Sequence, residues 1–332
     1  MELARLPPPL LVTYGFLLLA IIGLWVRPVV WVAALLGAVG CGYWSGALTG
    51  PAVVWPALLA GACWLYRTGQ TAPASSHRRL QLPAAAVVLI LSFLLGAHLL
   101  PGFNNPVLVR DLVLSPGASP YTRYLSFDKA LIGLLLTGIL GEELLRSRRD
   151  WLEALRRAMP WIVATIALVL GLTLALGQVA LAPKWTSFFW LWAVTNLFFT
   201  CIAEEAFFRG FLQRELSRAL VGFRGGQLLA IGGSAVLFGL AHWAGGWSYV
   251  LLAALAGLGY ALAFRASGRI EMAILAHFGL NTVHFLLLTY PSLAARGEHE
   301  RGVQGAALAT HAILGLAPHP FQQPFDRPYR PV

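Results

Sequence analysis

Charge is the scarcest commodity in this chain of 332 residues: Asp, Glu, Lys and Arg together make up 11% of it, against about 25% in soluble globular domains. Apolar residues account for 58% and the mean hydropathy is +0.70, more than one or two water-soluble cores could bury. A soluble fold is excluded. Lysine is nearly absent, with Lys129 and Lys184 the only two, and no basic run alternates with aromatics as a single-strand platform requires. The formal net charge of +10 therefore points to anionic lipid headgroups and not to nucleic acid. Cysteine is also sparse. Cys41, Cys63 and Cys201 stand apart in apolar stretches, which gives neither a disulfide framework nor metal-ligand spacing.

What the chain has is long apolar runs. Candidate spans lie at roughly 10–26, 29–47, 51–66, 84–100, 128–141, 161–181, 187–212, 226–242, 248–264 and 270–290, judged against the ~20 residues a bilayer needs. The expected fold is an all-α polytopic transmembrane helix bundle of about 8–10 spans. With ten spans, loops on one side hold 15 of the 24 basic residues, which puts both termini outside the cytoplasm. Residues 1–183 form a first set of spans without a recognisable motif, 184–290 carry the polar signals, and 291–332, with Pro318, Pro320, Pro324, Pro328 and Pro331, read as a mostly irregular tail.

An ionisable residue inside a spanning helix is costly and is a functional candidate by default. Glu204-Glu205-x-x-x-Arg209 supplies the first group. Glu205 and Arg209 are four apart with the acid first, the favourable order for a helical ion pair. Glu204 points about 100° away from Glu205 and has no partner on its own helix. A carboxylate without a fixed counter-charge suits a general base or acid. Phe238-x-x-x-His242 and His277-x-x-x-Asn281 follow, each pair on one helix face. His242 would share a water with Glu204, and an imidazole beside an amide suits a developing oxyanion. His277 lies only about 8 residues, roughly 12 Å, beyond Arg269, shallower than the depth expected of Glu204 and His242. It reaches them if the last helix tilts or begins deeper.

Bland readings exist for each. Glu142-Glu143-Leu-Leu-Arg146 resembles the first group but reads as a solvated loop. His242 beside Trp243 and Trp247 suits an interfacial belt, and His277 with Asn281 suits interhelical hydrogen bonding. His98 and His284 read as packed histidines. Gly232, Gly233, Gly257 and Gly259 read as close helix packing, and Trp185, Trp190 and Trp192 as interface anchors.

The three groups, in this order and in apolar helices, resemble the CPBP intramembrane proteases, which include the CAAX-processing endopeptidases and bacterial relatives linked to bacteriocin immunity and protein sorting. Ala263-Phe264-Arg265-Ala266-Ser267-Gly268-Arg269-Ile270 is similar to that family's aromatic-basic-x-Thr-Gly segment, with Ser267 in place of Thr. The resemblance covers roughly residues 185–290. It implies a peptide hydrolase in which Glu204, assisted by His242, activates a water, while His277 and Asn281 stabilise the oxyanion. Glu205 and Arg209, with Phe238, would support the geometry. No cofactor is expected to be obligate; Glu204, His242 and His277 would be the ligands if Zn²⁺ were used, but the chain lacks a His-Glu-x-x-His pair. The implied partners are the bilayer and a membrane-anchored protein or peptide substrate, and the implied location is a bacterial cytoplasmic membrane. A non-catalytic immunity or scaffold protein that keeps the protease fold is the alternative. A proton-coupled carrier would show an inverted repeat or broken helices, which the sequence does not.

Overall fold

A bilayer core of about 30 Å sets the scale for every helix here. In a computed structural model, which describes residues 6–71, 75–141 and 144–294, the ten apolar stretches fold as ten helices. They are α1 (Pro8–Gly23), α2 (Pro28–Trp44), α3 (Val54–Thr71), α4 (Ser75–Gly96), α5 (Phe127–Leu135), α6 (Arg148–Ala175), α7 (Phe189–Ala219), α8 (Gly226–Leu240), α9 (Gly246–Ser267) and α10 (Ile270–Leu287). Proline opens α1 and α2 within their first turn, where its missing N–H costs nothing. The residues up to Leu293 form one compact unit. The expected tail lies almost wholly outside the described residues, as does the Glu142-Glu143 pair.

Among the described residues, four helices are long and apolar enough to cross a membrane: Arg148–Ala175, Phe189–Ala219, Trp243–Ser267 (α9 with its entering 3₁₀ turn) and Ile270–Leu287. Fewer helices than the expected 8–10 meet that length. Four other apolar helical stretches, such as Pro8–Gly23, are 10–17 residues long, and at 1.5 Å per residue they fall short of the core thickness. Helix α6 begins earlier than the apolar run suggests. Ser147 accepts from the Asp150 N–H at 3.1 Å and caps it, so Arg148, Arg149, Arg156 and Arg157 lie on the helix and not in a loop.

The short α5 is a core element. Phe127, Asp128 and every residue from Ala130 to Leu135 are buried, and α5 packs against α1, α3, α4 and α7. A π-helical turn, Leu136–Leu140, continues it. Between α4 and α5 the chain forms an antiparallel hairpin, β1 (Val107–Leu112) and β2 (Tyr121–Tyr124), with irregular register. The all-α reading did not include it, because Val107–Leu112 is a short run interrupted by Arg110 and Asp111 and fell between the expected spans.

Close helix packing depends on glycine at some positions and not at others. A Cβ on Gly259 would lie 1.9 Å from Thr165 Oγ1 and 2.6 Å from Thr165 Cβ, so α9 and α6 meet there. Gly232 has nothing within 4 Å, which corrects the packing role given to it. Gly259→Ala is expected to lower unfolding stability by about 1–3 kcal/mol through overpacking. Gly232→Ala should be neutral or slightly stabilising, since alanine is the better helix former. Thermal melting in detergent separates the two; equal melting of both variants would contradict the packing.

Candidate active site

The site is built on the middle of α7. Glu204 stands 15 residues from each end of Phe189–Ala219, roughly 22 Å from either. Two π-helical stretches, Leu197–Cys201 and Ala206–Gln213, flank it, and such widened turns recur at functional sites. From β2, Arg123 donates to the Thr195 carbonyl at 2.9 Å and to Thr200 Oγ1 at 2.7 Å. The hairpin is thereby fastened to the first widened turn.

Glu205 and Arg209 form the ion pair that the spacing predicts. Both are fully buried, with Arg209 Nη1 at 3.1 Å from Glu205 Oε2. Arg209 Nη2 donates to the Gly257 carbonyl at 2.7 Å, and the guanidinium sits 4.6 Å from the Phe238 ring centroid and 5.4 Å from that of Tyr260. Phe238 is the spacer of the site. Its ring also lies 4.7 Å from His242 and 5.8 Å from His277, while Gly257 leaves room for it because a Cβ there would come within 3.0 Å of its Cδ1.

Glu205 also fixes His277. The imidazole Nδ1 is 2.8 Å from Glu205 Oε1, and Tyr260 stacks on the ring at 4.7 Å and 13°. A carboxylate only accepts, so Nδ1 carries the proton and, in the neutral ring, Nε2 presents a lone pair. That Nε2 is 4.0 Å from Glu204 Oε2. One water can bridge two polar atoms at this separation. The depth mismatch of His277 is resolved by where α10 begins. Ile270 packs against Gly210 of α7, and Glu271 in the first turn is buried, accepting from the Leu145 N–H at 2.7 Å and Trp25 Nε1 at 3.1 Å. The last helix therefore starts inside the bundle, barely more than a turn from Glu205.

Glu204 departs from expectation. It has a counter-charge, Lys129 Nζ at 2.6 Å from Oε1, supplied by α5 and invisible in the spacing of α7. Only Oε2 is without a hydrogen-bond partner.

Asn281 does not share with His277 the carboxylate of Glu205. Asn281 Nδ2 donates to Asn196 Oδ1 at 3.2 Å and, weakly, to Cys201 Sγ at 3.9 Å. His242 ends α8 with Nδ1 at 2.8 Å from the Phe238 carbonyl. All three of His242, His277 and Asn281 line one cavity of about 130 Å³. Its apolar walls include Leu170 of α6 and Leu252 and Ala256 of α9. Glu204 is not on its lining.

His284 also faces the cavity, with Nε2 at 3.1 Å from the Thr289 carbonyl, so it is more than packing. His98 is a third exposed and bonded to Asp128 at 2.7 Å. Trp185 and Trp190 are exposed as anchors would be, but Trp192 is fully buried, stacked on Phe285 at 4.3 Å and donating to Tyr290 Oη at 3.0 Å. Past the end of α10, burial pushes the Tyr290 phenol well above its ordinary value, which keeps that acceptor neutral.

Sequence reasoning missed Lys129, Asn196 and Tyr260. For the first two the signal was present, since each is polar within an apolar run. No three His, Cys, Asp or Glu side chains among the described residues are grouped to hold a metal ion.

Residues 184–283 match the family model described as Type II CAAX prenyl endopeptidase Rce1-like. This segment is an Rce1-like CAAX endopeptidase domain. Comparisons with characterised proteins and with solved structures gave no match. The Rce1-like domain contains Glu204, Glu205, Arg209, Phe238, His242, His277 and Asn281 but not Lys129. It implies peptidase activity, and with the four long apolar helices it supports an integral membrane protein.

Proposed function

We propose that the protein is a glutamate-dependent intramembrane endopeptidase in which Glu204 is the general base. The observation that carries the reading is the 4.0 Å gap between Glu204 Oε2 and His277 Nε2, beside a cavity that also presents His242 and Asn281. A water held between these atoms gives one proton to Glu204 while its oxygen attacks the scissile carbonyl carbon. The Asn281 amide hydrogen that makes only the weak 3.9 Å contact to Cys201 Sγ turns to the resulting oxyanion. As the carbon–nitrogen bond breaks, the proton taken by Glu204 passes to the leaving amine, and His242 Nε2 acts as the relay on the cavity wall. Glu205, held by Arg209, orients His277 as the carboxylate of a catalytic triad orients its imidazole.

No step uses a metal, so incubation with a strong Zn²⁺ chelator is expected to leave the rate of the purified enzyme unchanged. Loss of activity that added Zn²⁺ restores would contradict this. The proposed setting is a bacterial cytoplasmic membrane, with a membrane-anchored protein or peptide precursor as substrate, in maturation, sorting or immunity.

The decisive experiment compares neo-termini by mass spectrometry in host membranes carrying the wild type or Glu204→Gln at equal abundance. Termini that disappear with the variant support the hydrolase and name its substrate. An identical set would move the reading to a non-catalytic immunity or scaffold protein.

A further inference from the structure

We propose that Lys129, which lies outside the Rce1-like domain, is a positioning residue for peptide hydrolysis: its ammonium holds Glu204 Oε1 so that Oε2 faces His277. The inference rests on the reading of Glu204 as the base.

Three observations converge on it. The first is the contact itself, 2.6 Å between Lys129 Nζ and Glu204 Oε1 with both side chains largely buried, 22% and 13% exposed. A charge-assisted bond of this kind is short and directional. With one oxygen held, rotation of the carboxylate is stopped and the other oxygen has a fixed direction.

The second is that α5 is built to place Lys129. Asp128, 1% exposed, accepts from the Lys129 N–H at 2.8 Å and from Asn105 Nδ2 at 3.0 Å through Oδ1, and its Oδ2 is 2.7 Å from His98 Nδ1. Asn105 Oδ1 in turn accepts from the Phe127 N–H at 2.8 Å. The first turn of α5 is thus clamped to the turn that follows α4 and to the segment before β1. One turn further on, Gly133 lies against the α7 backbone, where a Cβ would come within 3.0 Å of Ala203 N and Cα. That approach, next to Glu204 in sequence, brings the lysine within reach.

The third is charge balance. The groups around the base are Glu204, Glu205, Lys129, Arg209, His277 and His242. Two carboxylates buried in a low dielectric need two cations, and Arg209 is committed to Glu205. Lys129 is the second cation, so each of the two carboxylates has a counter-charge of its own. A role for residues 1–183 follows: they complete a site whose other residues belong to the matched segment.

The test measures the Glu204-dependent neo-termini in host membranes carrying Lys129→Met, Lys129→Arg or Glu204→Gln at equal abundance, together with the melting temperature of each purified protein. Misplacing a base by about 1 Å costs on the order of 10²-fold. Lys129→Met should therefore lower the termini about 10²-fold, and Lys129→Arg, which keeps the charge, should stay within about 10-fold of wild type. Lys129→Arg should melt near the wild type, and Lys129→Met below it, because the largely buried Glu204 carboxylate loses its cation. Undiminished termini in Lys129→Met overturn the inference and leave the reading of Glu204 standing. Equal loss in both variants with a clear drop in melting temperature overturns it as well, since the lysine would then be structural. If no terminus depends on Glu204, the reading of the base fails, and the role of Lys129 with it.

Discussion

Glu204→Gln is expected to slow peptide hydrolysis by about 10³-fold, within the 10²–10⁴ that a positioned general base contributes. The amide keeps the shape of the carboxylate and can still accept from Lys129, so the site's geometry is retained while the ability to take a proton is lost. Lys129 keeps a hydrogen bond to the amide oxygen but loses its counter-charge, so the melting temperature is expected to fall modestly. Single-turnover cleavage and a melting curve on the same preparation separate chemistry from stability. A variant that cleaves at the wild-type rate would remove Glu204 from the mechanism.

Arg209→Met should be the most damaging change to stability, by about 3–5 kcal/mol, the cost of breaking a buried ion pair from one side. The methionine fills much of the space but leaves the fully buried Glu205 with only the Nδ1–H of His277, and it leaves the Gly257 carbonyl without its donor. Removing both charges avoids the orphan. The double variant Glu205→Gln with Arg209→Met should therefore be more stable than Arg209→Met alone, an interaction that a double-mutant cycle resolves. Equilibrium unfolding in a denaturing detergent reads both numbers. A loss below about 1 kcal/mol in the single variant would show that the pair is not isolated from water in the manner its burial indicates.

The two expected losses differ in kind, and that difference follows from position. Glu204 keeps an unpartnered oxygen beside His277, so its change is read in rate. Arg209 has every neighbour occupied by aromatic rings, a carboxylate and a carbonyl, so its change is read in stability.

The sequence by itself determined the class and the local pairs. Apolar runs of bilayer length gave ten helices, because the cost of unpaired backbone in lipid leaves a spanning chain little other choice. The four-residue spacing of Glu205 and Arg209 gave their ion pair, because helical periodicity places those side chains together whatever surrounds them. Three motifs in order were enough to locate the Rce1-like domain. Contacts between helices were decided only by the tertiary structure. Glu204 meets Lys129 from 75 residues away, Glu205 meets His277 from 72, and Asn281 meets Asn196 from 85. Such meetings depend on how closely two helices approach and at what depth each begins, as at Gly133 and Ile270. Periodicity along one helix carries no information about either, so the counter-charge of the base and the orientation of His277 could be known only from the packed bundle.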